Sequence, residues 1–72
     1  MNVYVTWNGT EWLVKEQGQF DLQKAGDTDH PGRWWECWRL LPEPVADHAA
    51  ALAEAGALWG ANGEGWTDPR EG

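Results

Sequence analysis

The sequence predicts an α+β domain in which a three- or four-stranded antiparallel sheet is packed on one face by a single C-terminal helix. Two patterns in the sequence predict this class. Near the N-terminus, two short runs of alternating apolar residues flank an Asn-Gly pair, which is typical of a β-hairpin. Later in the chain, an alanine-rich stretch carries an apolar stripe at helical spacing. Sheet and helix each have to bury an apolar face, so we expect them to pack on each other.

The predicted hairpin comprises residues 3–7 and 11–15, joined at the Asn8-Gly9 pair. Asn-Gly suits a two-residue type I′ turn because both central residues of that turn need positive φ. A two-residue loop opposes Val5 and Trp12 on one face, which we expect to be the core face. It leaves Tyr4 on the other face.

Two further strands are predicted, one of them rich in aromatic residues. Gln19–Gln23 alternates weakly and predicts a short strand, and Arg33–Leu41 predicts an aromatic strand after a turn-rich loop. Both faces of the aromatic strand are apolar, whereas one helix covers only one face of a sheet. We therefore expect apolar surface to remain on the second face, available to a partner.

The helix is predicted over Val45–Trp59, with Pro44 in its first turn and Gly60 ending it. The glycine-rich segment 61–72 is predicted to be a flexible tail, with Trp66 as its one large apolar residue. The domain boundary is therefore predicted at residue 60, with one domain over residues 1–60.

The charge is strongly one-sided, with twelve acidic residues against five basic ones and a net charge of −7. Such a chain is repelled by nucleic acid and by anionic membranes, so neither is expected as a direct partner. A basic protein surface attracts it. The single cysteine, Cys37, excludes an intrachain disulfide. The start of the sequence lacks a signal-peptide pattern, and no apolar run is long enough to span a membrane, so a cytoplasmic location is expected.

Chemistry-bearing patterns are weak. The chain has no serine, and Cys37 has only His30 and His48 as candidate bases, so no nucleophilic enzyme is predicted. These three residues also lack a fourth zinc ligand and the usual spacing. The segment 27–38 begins like a calcium loop but has Trp38 where the closing Glu is needed. We therefore expect no catalytic residues, no metal and no cofactor.

Binding through surface charge is the remaining possibility. Carboxylates on a rigid sheet and its loops can take the place of a few phosphates on a basic partner surface, and an exposed Trp among them supplies an interface anchor. Each candidate partner-binding residue comes from the hairpin, the following segment or the aromatic strand. The candidates are Glu11, Glu16, Asp21, Asp27, Asp29, Trp35 and Glu36.

The chain resembles the small acidic inhibitors that phages encode against host defences, especially the anti-CRISPR proteins. The twelve acids and the compact hairpin-plus-helix layout carry this resemblance, which is one of overall character and extends along the whole chain. This resemblance implies a phage protein that inhibits a CRISPR effector complex in the host cytoplasm. It would occupy the basic nucleic-acid channel of that complex by partial mimicry of DNA or RNA.

Two alternatives remain open at the level of sequence. The second sheet face can pair with its own copy, which makes the protein a homodimeric accessory or structural protein. Alternatively, Trp34, Trp35 and Trp38 can form a stacking platform for a sugar or a base. A change of oligomeric state with concentration distinguishes the first alternative, and a ligand-dependent change in Trp fluorescence distinguishes the second.

Overall fold

A computed structural model describes residues 1–71 and shows an α+β fold with a three-stranded antiparallel sheet and two α-helices. The elements in chain order are β1 (Val3–Trp7), β2 (Trp12–Glu16), α1 (Gln17–Gly26), a first 3-10 helix (Trp34–Cys37), β3 (Arg39–Leu40), α2 (His48–Trp59) and a second 3-10 helix (Pro69–Glu71). The strand order across the sheet is β2-β1-β3, so β1 is the central strand.

The hairpin register differs from the predicted one by two residues. Trp7 pairs with Trp12 and Val5 with Val14, so the connection has four residues, 8–11, and the predicted two-residue turn is wrong. The side-chain oxygen of Asn8 accepts hydrogen bonds from the backbone N–H groups of Thr10 and Glu11, both at 2.8 Å. These bonds hold the wider loop. Because the shift is two residues, each side chain keeps its predicted face.

The core lies between one face of the sheet and α2. Val3 and Val5 are fully buried on that face, and Ala51 and Ala55 of α2 are fully buried against them. The small alanine side chains let the helix backbone approach the sheet closely, and Leu41 completes the core beside β3.

Helix α2 begins three residues later than predicted. Its N-cap is Asp47, whose carboxylate accepts a hydrogen bond from the backbone N–H of Ala50 at 2.8 Å. An aspartate in this position satisfies an N–H group that the helix leaves without a partner. Pro44 therefore lies before the helix, not in its first turn. Neither helix within residues 1–71 is long and apolar enough to cross a membrane.

The prediction of a single helix is wrong, because the predicted short strand Gln19–Gln23 lies within α1. The pattern that suggested a strand was the alternation of Phe20 and Leu22. Only Phe20 is buried, at 3% exposure, whereas Leu22 is 78% exposed. Phe20 stacks on Tyr4 of β1, so α1 covers the sheet face opposite to α2. The sheet is therefore covered on both faces.

The predicted aromatic strand is also wrong for most of its length. Only Arg39–Leu40 pairs with β1, and Trp34–Cys37 forms a 3-10 helix. Arg33 precedes that helix with a left-handed backbone (φ 42°), which turns the chain toward the face that Phe20 covers. A 3-10 helix brings Trp34 and Trp38 against Phe20, an arrangement that a continuous strand does not allow.

The C-terminal segment folds back onto the core. The Trp66 ring meets the rings of Trp12 and Trp59 edge-on, with centroids 5.2 and 5.0 Å away. The backbone N–H of Gly65 donates to the carbonyl oxygen of Trp59 at 2.7 Å. The flexibility predicted for residues 61–72 stays a prediction, and Gly72 lies outside the described residues.

Candidate functional site

An aromatic cluster lies on the sheet face that α1 covers. It packs beneath the segment that carries most of the candidate residues. Phe20 is its centre, stacked on Tyr4 at a centroid distance of 3.8 Å. Trp34 and Trp38 meet Phe20 edge-on at 5.3 and 6.1 Å. The hydroxyl of Thr6 donates to the carbonyl oxygen of Cys37 at 2.7 Å and fixes the 3-10 helix to the central strand.

Three of the five basic side chains lie over tryptophan rings. The Lys15 ammonium is 4.6 Å from the centroid of Trp34 and 5.3 Å from that of Trp38. Lys24 lies over Trp35, and Arg39 lies over Trp66. Cation–π contacts of this kind hold the cations against the protein.

The remaining two basic side chains form ion pairs with acids nearby in sequence. Arg33 pairs with Glu36 at 3.3 Å, and Arg70 pairs with Asp68 at 2.6 Å. Within residues 1–71, Glu36 and Asp68 are the only carboxylates that form ion pairs. The bases are thus engaged within the fold, while the other carboxylates lack a cationic partner in the described part of the chain. The surface presented to a partner is therefore acidic.

Six of the seven candidate residues lie in one segment, which we name the acidic layer and define as residues 16–37. It comprises the residue before α1, α1 itself, the following loop and the first 3-10 helix. Its members among the candidates are Glu16, Asp21, Asp27, Asp29, Trp35 and Glu36. Glu11, by contrast, lies in the hairpin loop, at the end of β2 away from α1.

The six residues do not have equivalent roles. Asp27 accepts a hydrogen bond from the Trp34 indole N–H at 3.0 Å, and Glu36 is paired with Arg33. Both therefore stabilise the layer itself. Glu16, Asp21 and Asp29 are exposed, and within residues 1–71 their carboxylates have no hydrogen-bond donor. These three are the carboxylates of the layer that are free to meet a partner.

Each tryptophan ring makes contacts within the fold. Trp12 is buried, the other six are half-buried, and each ring contacts another aromatic ring of the chain. Trp35, the one aromatic candidate, meets Trp34 edge-on at 5.8 Å and carries Lys24 over its ring. Helix α1 and the C-terminal segment thus cover part of the rings that were expected to face outward, and a partner-binding role for Trp35 stays a prediction. Charge is the remaining support for binding.

A pocket of about 390 Å³ opens beside the aromatic cluster, and sequence reasoning missed it. Trp34, Trp38 and Cys37 form part of its wall, and the Asp68–Arg70 ion pair belongs to the same lining. The Cys37 thiol donates to the carbonyl oxygen of Trp34 at 3.1 Å. The one sequence signal for this pocket is the Asp-x-Arg spacing of residues 68–70, which places an acid and a base close enough to form an ion pair.

The Asp68–Arg70 pair shifts both pKa values. The hydrogen bonds from the Arg70 guanidinium, followed by the one from its backbone N–H, lower the pKa of Asp68 from 3.8 to about 2. The same carboxylate raises the pKa of Arg70. Within residues 1–71, no three His, Cys, Asp or Glu side chains lie close enough together to hold a metal ion.

The fold and the layer together define a class: a small α+β domain with a three-stranded antiparallel sheet that carries an acidic helical layer over one face. No protein-family model, no curated protein and no solved structure matches the chain.

Proposed function

We propose that the protein is a non-enzymatic binding protein that occupies a basic, nucleic-acid-binding surface of a larger complex. The observation that carries this proposal is the unequal engagement of charges. All five basic side chains are engaged within the fold, whereas Glu16, Asp21 and Asp29 are exposed and unpaired within residues 1–71. A partner therefore meets an acidic layer at a net charge of −7.

The acidic layer is suited to this role because side-chain contacts attach its backbone to the sheet. Phe20 anchors α1 to Tyr4, and Asp27 and Arg33 fasten the following loop through Trp34 and Glu36. Because the backbone that carries the carboxylates is already folded, binding does not have to order it, which favours association. The carboxylates are spread through the layer, so the mimicry we propose is of a few phosphates, not of a full duplex.

A CRISPR effector complex is the partner we propose to test first, on the resemblance to anti-CRISPR proteins. The experiment combines a purified effector complex with this protein and measures target-DNA binding over a range of salt concentrations. Inhibition that weakens steeply as salt rises is expected, because exposed charges are screened beyond about 8–10 Å at physiological ionic strength. Inhibition unchanged by salt, or no inhibition at low salt, would refute the proposal for this partner.

A matched pair of variants localises the effect to the acidic layer. The double variant Asp21→Asn, Asp29→Asn removes two free charges of the layer, and Glu43→Gln, Glu71→Gln removes two exposed charges elsewhere. Both variants change the net charge equally. We expect at least a tenfold loss of inhibition for the first variant and a much smaller loss for the second. Equal losses would show that only net charge matters.

Homodimerisation is a second candidate function. The exposed side of α2, and not the predicted second sheet face, is the surface that favours it. The second sheet face is covered by α1 and the first 3-10 helix, so it is not free to pair with a copy. Helix α2, however, exposes Leu52 (43%) and Leu58 (45%) and has Glu54 as its one acid. Sedimentation at increasing concentration tests this, and Leu52→Gln with Leu58→Gln should abolish a dimer formed through α2.

A further inference from the structure

Strand β2 lies at an edge of the sheet, because the strand order is β2-β1-β3. Two backbone hydrogen bonds bracket its pairing with β1. At one end Asn8 N–H donates to the Glu11 carbonyl oxygen at 3.2 Å, and at the other Gln17 N–H donates to the Asn2 carbonyl oxygen at 3.0 Å. In an antiparallel ladder, alternate residues bond to the partner strand. Every second residue between 11 and 17 therefore bonds to β1.

Those bonded residues are Leu13 and Lys15, so Trp12, Val14 and Glu16 direct their backbone groups away from β1. None of these three outward N–H groups has a hydrogen-bond acceptor among residues 1–71. The edge of β2 therefore offers the N–H groups of these three residues, together with the carbonyl groups of Trp12 and Val14, to an added strand. The Glu16 carbonyl oxygen is excluded, because Glu16 is the N-cap of α1 and its carbonyl accepts the first bond of that helix.

Proline, a bulge and an outward-directed lysine are missing from this edge strand. Natural edges are guarded by lysine side chains, proline, bulges or a covering element. Strand β2 contains no proline, and its pairing with β1 is regular. Its one base, Lys15, has its ammonium over the rings of Trp34 and Trp38 on the second sheet face. That lysine is therefore not positioned to repel an incoming strand.

Negative charge marks both ends of this edge. Glu11 and Glu16 are exposed, and neither forms an ion pair within the described residues. They are five positions apart, which is about 17 Å along an extended chain at about 3.3 Å per residue. An extended segment with a lysine or arginine near each end fits this spacing. A second copy is disfavoured because each copy has a net charge of −7.

We propose that the β2 edge binds an extended basic segment of a partner protein as a fourth strand of the sheet. This inference rests on the proposed function, since it names the kind of segment that an acidic binding protein takes up. Backbone bonds to Trp12, Val14 and Glu16 give the affinity, and Glu11 and Glu16 select a basic segment.

The test uses a defined probe, the blocked hexapeptide acetyl-Lys-Thr-Val-Thr-Val-Lys-amide, with the full isotopically labelled chain. Amide shifts in an NMR titration are expected to be largest at residues 12, 14 and 16. A peptide with Glu in place of both Lys residues, and one with all internal amides N-methylated, should each bind at least tenfold more weakly. No binding of the parent peptide up to about 1 mM would overturn the inference.

The decisive variant is Val14→Pro, which removes an outward N–H group without removing a bond to β1. Val14→Thr is its matched control, because it changes the side chain and keeps the N–H. We expect a tenfold or greater loss of peptide affinity for the proline variant and less than a threefold loss for the threonine variant. If Val14→Pro fails to fold, the N-methylated peptide still tests the added ladder, because it removes the other set of bonds, those that the peptide N–H groups donate to the β2 carbonyl oxygens.

The outcomes separate this inference from the proposed function. Salt-sensitive peptide binding that survives both Val14→Pro and N-methylation overturns the edge site and leaves electrostatic binding standing. Binding that both changes abolish, but that salt does not weaken, supports the edge site and overturns the electrostatic proposal. Shifts at residues 12, 14 and 16 that grow with protein concentration alone, together with a dimer in sedimentation, show that a second copy occupies the edge and overturn the inference.

Discussion

The rings of Phe20 and Tyr4 are stacked with centroids 3.8 Å apart and an interplanar angle of 10°. This contact joins α1 to the central strand of the sheet. Phe20 is the only buried residue of α1, so the helix depends on it for attachment. Helix α1 is therefore attached to the sheet chiefly through a single aromatic side chain.

Phe20→Ala is expected to destabilise the domain by about 3–5 kcal/mol, because it removes a buried aromatic ring and leaves a cavity beneath Trp34. Chemical denaturation followed by circular dichroism measures the loss. Leu22→Ala on the same helix is the control, since Leu22 is 78% exposed, and it should change stability by less than about 0.5 kcal/mol. Similar losses in both variants would contradict the anchoring role of Phe20.

The sequence was sufficient to predict the elements whose apolar pattern matches their burial. Val3 and Val5 alternate as a strand and are fully buried. The alanine-rich pattern predicted the existence of α2 but not its buried face, because Ala51 and Ala55 are fully buried whereas the larger Leu52 beside them is 43% exposed. The alternation of Phe20 and Leu22 was misleading because only one of them is buried. In a ten-residue helix with one buried side chain, burial leaves almost no helical periodicity to detect.

The candidate site was only partly predictable for a related reason. The sequence alone identified the acids of residues 16–37 as candidate binding residues. It did not indicate that Lys15 and Lys24 lie over tryptophan rings. Those contacts arise because the chain turns at Arg33 and brings the first 3-10 helix onto Phe20. A tertiary contact thus decided the local structure against the strand propensity of the aromatic residues.

Glycine at position 63 is expected to be required for the C-terminal segment to pack. Gly63 has φ +67°, and a methyl group there would overlap the ring of Trp7. Gly63→Ala should therefore cost about 1–3 kcal/mol through backbone strain and overpacking. Thermal unfolding measures this, at about 4–8 °C per kcal/mol for a domain of this size.

A second glycine provides the control for that substitution. Gly18 lies in α1, and a methyl group there has no atom within 4 Å. Gly18→Ala should stabilise the protein by about 0.5–1 kcal/mol, because alanine favours the helix. An unchanged melting temperature for Gly63→Ala would show that residues 61–71 are not packed on the core in solution, as the predicted flexible tail requires.

The N-cap of α2 should contribute measurably to stability. The Asp47 carboxylate accepts from Ala50 N–H at 2.8 Å, so Asp47→Ala leaves that N–H without its side-chain acceptor. The expected loss is about 1 kcal/mol. Asp47→Ser keeps a capping oxygen and should retain most of the stability in the same denaturation experiment. A loss of equal size in both variants would indicate that charge, not capping, is responsible.

The Asp68–Arg70 pair predicts a pH dependence at the rim of the pocket. Hydrogen bonds from Arg70 lower the pKa of Asp68 from 3.8 to about 2 in the folded protein. A carboxyl group whose pKa is lowered by folding stabilises the fold above its unfolded pKa, and this contribution is lost as the pH falls through the folded pKa. The stabilisation should therefore be complete above about pH 4 and should disappear between about pH 4 and pH 2.

Carbon-13 NMR of the Asp68 carboxyl group measures this titration directly. The folded protein should show a midpoint near pH 2, and Arg70→Gln should move the midpoint up toward 3.8, because it removes the guanidinium donors. The backbone N–H of residue 70 remains a donor at 2.8 Å, so the variant should keep part of the shift. A midpoint near 3.8 in the unaltered protein would show that the ion pair is absent in solution.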